Sequence, residues 1–266
     1  MRQARESDAV ESVEQFTSSW KLIIQDLPGA EIRDDAGLSF RWADHTFPFW
    51  NAIFVSEPVE EAGVLRRRLR TATTYMRKKR EPGLVWIFEE YLSKSAQKKL
   101  PEILKEERLE FALPATGMAG EIFPLQTPAH PTMHIAQVVN ESMLRDYEQI
   151  NCQAYGLPLE LGNGALEPTL WIERSYSYLG YENGRAVAAA SVMVNEGCLF
   201  LALVATRPEA QKLGYGEAVV RFALQTAHQA TGLMRTTLHA TDAGRPVYKR
   251  IGYYDTAKII AYKLSQ

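Results

Sequence analysis

A short glycine-containing loop near the C-terminus offers the clearest chemistry in this sequence. It reads Gln211-Lys-Leu-Gly-Tyr-Gly216, follows an apolar run at 198–205, and precedes a segment with helical spacing of apolar residues. Backbone N–H groups in the first turn of a helix have no partner inside the helix, and the helix dipole adds positive charge there. The loop is therefore predicted to bind an anion such as a phosphate group.

The segments around the loop predict the elements that must position it. Segments 175–181, 186–194 and 198–205 read as strands, separated by the turn sequences Asn183-Gly184 and Asn195-Glu196-Gly197, so an antiparallel meander is expected. Its third strand is apolar on both faces, which is typical of a central strand. Helices are predicted at 138–155 and 216–231, then a strand at 234–239, a short helix ending before Gly252, and a final strand pair through 263.

This order of elements resembles the GNAT superfamily of N-acetyltransferases over residues 133–266. Two motifs carry the resemblance, namely Gln211-x-x-Gly214-x-Gly216 and a tyrosine four residues before a Gly-aromatic pair, here Tyr248 before Gly252-Tyr253. The resemblance implies an α/β fold with a mixed sheet, the GNAT fold. It also implies transfer of an acetyl group from acetyl-CoA, used as cosubstrate, to an amine.

The resemblance further implies a role for each matched residue. The loop would bind the pyrophosphate of acetyl-CoA through backbone N–H groups, and the end of the third strand would hold the pantetheine. One strand N–H group would polarise the thioester carbonyl, and Tyr248 would protonate the leaving thiolate. The implied cofactor-binding residues are Val204, Ala205, Thr206, Gln211, Lys212, Leu213, Gly214, Tyr215, Gly216 and Glu217.

The general base and the acceptor are less well defined by the sequence. Glu173, Glu196 and His239 are candidates to take the proton of the attacking amine; Glu173 and His239 rank equally, and a water chain remains an alternative. A small-molecule amine is favoured over a protein lysine because the chain lacks an obvious acidic groove for a basic peptide. Trp171, Tyr176 and Tyr178 would either wall the acceptor pocket or pack within the sheet.

The N-terminal half repeats the same order of elements. Helices are predicted at 9–27, 58–80 and 93–107, and strands at 38–42, 50–55, 84–88 and 109–113. The chain is therefore predicted to hold two tandem GNAT-like units, a degenerate one at 1–115 and an intact one at 133–266, with a connector at 116–132. Counted from the proline after the strand, Glu61 takes the place of Gln211, and the adjacent carboxylates of Glu60 and Glu61 would repel a pyrophosphate. The first unit would then be a degenerate copy, a substrate-shaping domain, or an oligomer surface such as a homodimer interface.

Composition narrows the functional classes. The 266 residues include 30 Lys and Arg against 32 Asp and Glu, a balance that argues against a general nucleic-acid or membrane-surface role. The basic runs at 66–70 and 77–80 are interpreted as a solvated helix face, with a nucleic-acid patch as the alternative. The two cysteines, Cys152 and Cys198, make no disulfide framework, and Cys198, in an apolar strand, is expected to be a buried thiol in a reducing compartment. The five histidines form no metal-binding motif, so no metal is expected.

The remaining expectations concern location and the rival function. The first residues lack the apolar core of a signal peptide, and no apolar run is long enough to span a bilayer. These features predict a cytoplasmic protein without a membrane segment. The alternative to an N-acetyltransferase is a non-catalytic module that binds acetyl-CoA and acts as a sensor or scaffold.

Overall fold

The computed structural model describes residues 6–122, 130 and 132–265. The chain forms two compact units: unit 1 comprises Met1–Met118, His239–Arg245 and Asp255–Gln266, and unit 2 comprises Ala119–Leu238 and Pro246–Tyr254. Two segments of the C-terminal half therefore group with the N-terminal half. In the part of the chain that the structure describes, no helix is both long and apolar enough to cross a bilayer.

Both halves of the chain contain helices and strands, and most of the parallel strand connections run through a helix. In chain order they are α1 (Glu6–Ile24), β1 (Glu31–Asp35), β2 (Leu38–Trp42), β3 (Asn51–Val55), α2 (Ala62–Met76), β4 (Leu84–Phe88), α3 (Lys94–Glu106), β5 (Leu109–Glu121), β6 (Met133–Gln137), α4 (Glu141–Tyr155), β7 (Ser175–Glu182), β8 (Arg185–Asn195), β9 (Cys198–Thr206), α5 (Tyr215–Thr231), β10 (Arg235–Ala240), α6 (Arg245–Ile251) and β11 (Tyr254–Leu264). A short π-helical turn, Thr169–Glu173, precedes β7.

Unit 1 is a mixed sheet in the order β1-β2-β3-β4-β11-β5. β3 and β4 are parallel and are joined by α2, whereas β4 and β11 are antiparallel. The apolar side chains of α2 recur every three or four residues and are buried on one face of the sheet. On the other face, the Phe16 ring of α1 lies edge-on to Phe54 and Trp86 at centroid distances of 4.9 and 5.1 Å.

Unit 2 has the strand order β10-β9-β8-β7-β6. The predicted meander is confirmed, since β7, β8 and β9 are antiparallel neighbours. β9 and β10 are parallel and are joined by α5. α5 packs closely on β7, because a Cβ atom at Gly180 would lie 2.7 Å from Val219. α4 packs against β8 and β9.

Several predicted boundaries differ from the structure. The final strand pair is a single strand, β11, and the helix predicted at 58–80 runs only from Ala62 to Met76. β5 continues to Glu121, so the first residues of the predicted connector are strand rather than loop. Most of the remaining connector, residues 123–129 and 131, lies outside the described residues. β1 and β6 were not predicted at all.

Candidate active site

The two parallel strands of unit 2 separate near the end of β9. Their ladder runs from Thr236 opposite Leu199 to Leu238 opposite Leu201 and has no further rung among the described residues. Just beyond, the pairing of β9 with β8 shifts register, which marks a β-bulge around residues 203–204. The backbone of 202–206 is therefore free of a strand partner on the β10 side. This is the stretch that the resemblance assigned to the pantetheine.

The glycine loop leads from this strand end into α5. Gly214 is the N-cap of α5 and has φ +89°, a left-handed value that favours glycine. The first intrahelical bond runs from the Ala218 N–H to the Gly214 carbonyl at 3.0 Å. The N–H groups of Tyr215, Gly216 and Glu217 therefore have no acceptor inside the helix, as an anion site requires.

The loop and the strand end approach each other closely. A Cβ atom at Gly216 would lie 2.6 Å from Thr206 Oγ1, so only glycine leaves this space open. The Gln211 side-chain amide donates to the Thr206 carbonyl at 3.2 Å. The Gln211 side chain thus connects the loop to β9. The N–H groups of Tyr215, Gly216 and Glu217 remain available to a ligand.

His130 is a loop contact that the sequence reasoning missed. Its Nε2 atom lies 2.9 Å from the Leu213 carbonyl oxygen and must be the donor, because a carbonyl only accepts. Its ring packs on the Tyr215 ring with centroids 4.2 Å apart. No local pattern identifies it: His130 is 83 residues from its partner in sequence. His130 thus stabilises the loop through contacts with Leu213 and Tyr215.

Tyr248 lies on α6 and is buried, with 7% of its surface exposed. Within the described chain its hydroxyl makes no hydrogen bond, whereas the nearby Tyr253 hydroxyl pairs with Thr236 Oγ1 at 2.7 Å. Burial, with smaller contributions from Tyr155 and Tyr253, raises the pKa of Tyr248 far above its usual value. At neutral pH, Tyr248 is therefore a protonated phenol. Its proton has no hydrogen-bond acceptor among the described residues.

Glu217 links the glycine-loop helix to the Tyr248 helix. Its carboxylate accepts from Arg221 on α5 at 2.8 Å and from Arg250 on α6 at 3.0 Å. Burial raises the pKa of Glu217, but the hydrogen bonds and charges of the two arginines outweigh burial and leave the pKa below its ordinary value. The Glu217 side chain thus pairs with two arginines, and the predicted role of Glu217 at the helix start would fall to its backbone N–H.

Replacing Glu217 with glutamine is expected to lower the unfolding free energy by about 1–3 kcal/mol at pH 7, because charge-assisted hydrogen bonds are lost. A lowered folded-state pKa stabilises the protein above the ordinary glutamate pKa, and this contribution disappears as the pH falls through the folded pKa. The melting-temperature difference between wild type and Glu217→Gln should therefore shrink on acidification. Glu141→Gln is the control, since its exposed i,i+4 pair with Arg145 should contribute little. A difference that does not change with pH would contradict this role.

The candidate bases occupy three different places. Glu196 is in the turn before β9, at the opposite end of that strand from Val204, roughly 20 Å away at the usual rise per strand residue. His239 belongs to unit 1 and stacks on Phe16 at 3.8 Å. Burial lowers the pKa of His239 to about 3, although a hydrogen bond with the Ser12 backbone opposes the shift. Glu173 is exposed at the end of the π-helical turn of unit 2.

Contacts with α4 hold the segment that carries Glu173. The Glu148 carboxylate accepts the Leu166 N–H at 3.1 Å, and burial raises the pKa of Glu148 despite this bond. Trp171 is fully buried with its ring 6.1 Å from that of Tyr147 on α4. Tyr178 is also buried and lies edge-on to Phe222 of α5 at 5.0 Å. Tyr178 thus packs between sheet and helix, while Trp171 anchors the turn that ends at Glu173.

The basic runs of unit 1 are largely engaged within that unit. Arg66 pairs with Glu102 and Glu106 on α3, and Arg68 pairs with Glu57. Further pairs join Arg70 to Glu107, Lys79 to Glu31 and Arg80 to Glu81. Most of this charge is therefore balanced by neighbouring carboxylates. The two cysteines, Cys152 and Cys198, are free and buried, and burial had been predicted for Cys198.

Unit 2 thus combines a parallel strand pair that opens beside a glycine-containing helix start with a buried tyrosine on α6. Residues 144–253 match the model of the acetyltransferase (GNAT) family. The C-terminal part of the chain is therefore similar to the GNAT acetyltransferases, a family that generally uses acetyl-CoA. A search of curated protein sequences finds no significant match.

Solved structures share the fold over nearly the whole chain. A GCN5-related N-acetyltransferase from Kribbella flavida is 18% identical with a TM-score of 0.70, over 97% of this chain and 96% of that one. A GCN5-related N-acetyltransferase from Sphaerobacter thermophilus is 11% identical with a TM-score of 0.59, over 98% and 94%. A tandem GNAT protein from the clavulanic acid biosynthesis pathway is 11% identical with a TM-score of 0.60, over 97% and 93%. The chain thus has the mixed α/β GNAT fold.

Proposed function

We propose that the protein is an acetyl-CoA-dependent N-acetyltransferase that acts on a small-molecule amine. The observation that carries the proposal is the meeting of three features at one end of β9. These are the unpaired backbone of 202–206, the open N–H groups at the start of α5, and the space beside Thr206 that a Cβ atom at Gly216 would fill. Together they suit a long ligand with a pyrophosphate at one end.

The residues of the chain divide the work of acyl transfer among them. Acetyl-CoA supplies the acetyl group as a thioester. The amine nitrogen attacks the thioester carbon, and we assign to the Val204 N–H the role of stabilising the oxygen that becomes negative. As the carbon–sulfur bond breaks, Tyr248 gives its phenolic proton to the sulfur. Glu173 takes the proton of the amine.

Glu173 is preferred to His239 as the base on physical grounds. A histidine with a pKa of about 3 is a weak base at neutral pH. Glu173 is exposed and belongs to the same unit as the loop and Tyr248. It follows Trp171 by two residues, and Trp171 packs against Tyr147, which itself contacts β9. A water chain between Glu173 and the amine remains compatible with this assignment.

Unit 1 is proposed not to bind acetyl-CoA, although its parallel strand pair corresponds to β9 and β10. β3 and β4 pair without a bulge, and the segments after them pair again at Val59 and Leu92. The Val59 N–H donates to the Tyr91 carbonyl at 2.7 Å, and the Ser93 N–H to the Val59 carbonyl at 2.9 Å. No strand edge comparable to 202–206 is therefore open to a pantetheine in the described part of this unit.

The loop before α2 also has the wrong polarity for a phosphate. The Arg68 guanidinium donates to the carbonyls of Ala36, Glu57 and Pro58 at 3.0, 2.7 and 3.2 Å. The loop thus presents acceptors to a cation from its own chain instead of donors to an anion. α2 begins four residues after Pro58, whereas α5 begins seven after Pro208, so the helix starts pair Glu61 with Gly214 rather than with Gln211. The match of Glu61 with Gln211, obtained by counting from the proline after each strand, is therefore replaced by a match of Glu61 with Gly214.

Acetyl-CoA is expected to bind with a stoichiometry of one per chain and to raise the melting temperature. Ligand at 100 times Kd should add about 2.7 kcal/mol to the unfolding free energy. Isothermal titration calorimetry and a melting series against acetyl-CoA concentration measure both quantities. Two equivalent sites would contradict the assignment of unit 1, and no binding to folded protein would contradict the proposed function.

The acceptor is tested by thiol release with an amine library that includes small amines, aminoglycosides and lysine peptides. Release with small amines and not with peptides is expected. Release with peptides alone would overturn the proposed acceptor class. Tight acetyl-CoA binding without release for any amine would favour the sensor or scaffold alternative.

A further inference from the structure

The bulge in β9 holds one residue in an unfavourable backbone conformation. Leu203 has φ +46°, in the left-handed region that side chains with a Cβ atom rarely adopt. Neither Leu203 nor Val204 has a rung in the described ladders to β8 and β10. The strands alone therefore do not fix the orientation of the peptide that joins them. A strained backbone persists only where surrounding contacts hold it.

Tyr147 supplies such a contact. It lies on α4 with none of its surface exposed, and its hydroxyl donates to the Leu203 carbonyl oxygen at 3.1 Å. The ring is held from the side by Trp171. Burial raises the pKa of Tyr147 well above its usual value, so the hydroxyl remains a donor throughout the physiological range. The contact joins two elements that are 56 residues apart in sequence.

The geometry of the peptide group gives this contact a consequence for chemistry. The Leu203 C=O and the Val204 N–H belong to one planar trans peptide and point in opposite directions. A bond that fixes the carbonyl toward α4 therefore fixes the Val204 N–H away from α4. Donation to a carbonyl also polarises the peptide and strengthens its N–H as a donor.

We propose that Tyr147 is a positioning residue that, through its hydrogen bond to the Leu203 carbonyl, aims and strengthens the Val204 N–H as the donor to the thioester oxygen. The inference rests on the proposed function, because it names how the oxyanion donor of that same site is held. Tyr147 touches neither substrate nor reacting atoms, and its effect passes through one peptide bond. It is expected to act more on the transition state than on ligand binding, because the oxygen gains charge only as the reaction proceeds.

The test compares Tyr147→Phe with wild type by isotope-edited infrared spectroscopy of bound acetyl-CoA labelled with carbon-13 at the thioester carbonyl. In wild type the carbonyl band should lie at lower frequency than in free acetyl-CoA, and in Tyr147→Phe it should return toward the free value. With an amine found by the library screen, kcat should fall about tenfold, less than on complete loss of an oxyanion donor. Kd for CoA should be unchanged, since CoA lacks the acetyl carbonyl, and KM for acetyl-CoA should rise by a smaller factor than that by which kcat falls.

Tyr178→Phe is the matched control. It also removes a hydroxyl from a buried tyrosine of unit 2, but its ring packs on α5 rather than reaching the bulge. It should leave both the carbonyl band and kcat unchanged. If wild type binds acetyl-CoA and Tyr147→Phe keeps the wild-type band and kcat, the inference is wrong while the proposed function stands. If wild type does not bind acetyl-CoA, the proposed function itself fails. If Tyr147→Phe and Tyr178→Phe lower kcat equally, Tyr147 has only a structural role.

Discussion

Replacing Tyr248 with phenylalanine is expected to lower kcat by about 100-fold or more while leaving Kd for acetyl-CoA unchanged. General acid catalysis typically contributes 10²–10⁴-fold to the rate, and the substitution removes only the acidic proton. The Tyr248 hydroxyl makes no hydrogen bond to the described protein, so its removal should leave stability almost intact. Steady-state kinetics with an accepted amine, calorimetry with acetyl-CoA and a melting curve measure the three quantities.

The high pKa of Tyr248 does not exclude this role. A phenol with a pKa near ~10 and a thiol near ~8.5 are close in water, and proton transfer depends on the difference between them. Burial that raises the pKa of Tyr248 also raises that of a thiolate released beside it, since both anions lose water. The raised pKa has a measurable consequence: activity should not fall between pH 8 and about 10 through ionisation of this residue.

Tyr253→Phe provides the control for Tyr248→Phe. The two rings lie 5.9 Å apart, and both residues are buried with raised pKa values. The Tyr253 hydroxyl, however, pairs with Thr236 Oγ1, so its removal should lower stability by about 1 kcal/mol and leave kcat near wild type. Tyr248→Phe should therefore lower kcat with little change in stability, whereas Tyr253→Phe should lower stability with little change in kcat. If Tyr248→Phe keeps the wild-type kcat, Tyr248 is not the general acid.

Elements with a strong local pattern could be predicted from the sequence. β2 and β4 were predicted at their observed bounds, because β4 is a compact run of apolar and aromatic residues and β2 alternates apolar with polar residues. The meander followed from the Asn183-Gly184 turn, in which both residues have positive φ. α3 was found within one residue at each end, and its N-cap, Ser93, accepts the Ala96 N–H.

Elements that depend on distant partners could not be predicted in this way. β1 reads as five mostly charged, mostly exposed residues and forms a strand only by pairing with β2. β5 extends through small residues and glycines that carry no strand signal. Gly117 is needed there because a Cβ atom would lie 2.2 Å from Ser12 Oγ, a contact between segments about a hundred residues apart. Such close approaches exist only in the folded chain.

The candidate site divides in the same manner. The glycine loop was evident because glycines before an amphipathic segment have a local meaning. The β9 bulge, the Tyr147 contact and the His130 contacts have no local signature. Tyr147 lies within the helix predicted at 138–155, but a helix prediction says nothing about the partner of its hydroxyl. Sequence patterns locate a buried side chain well, but they do not show which distant carbonyl it meets.

Replacing Gly216 with valine is expected to weaken acetyl-CoA binding by up to about 100-fold and to lower the free energy of unfolding by about 1–3 kcal/mol. Gly216 is the second residue of α5, where valine is a better helix former than glycine. The added methyl groups would fill the space beside Thr206, where a Cβ atom already lies 2.6 Å from Oγ1. Overpacking of this kind typically costs the folded protein about 1–3 kcal/mol, and methyl groups in the space that the ligand needs would cost its binding up to a similar amount, equivalent to about 100-fold in Kd. Calorimetry measures Kd, and a melting curve verifies that the variant is folded.

The chain contains its own control for this experiment. Gly63 is the second residue of α2, the position in unit 1 that corresponds to Gly216, and a Cβ atom there would meet only Arg67 Nη1, at 3.8 Å. Gly63→Val should therefore keep the wild-type Kd. Because both substitutions are glycine to valine at the same helix position, a difference between them reports what lies at each helix start. Equal affinity of the two variants would mean that the pyrophosphate is not held at α5. Loss of affinity in Gly63→Val alone would show that acetyl-CoA binds to unit 1, which would contradict the proposal.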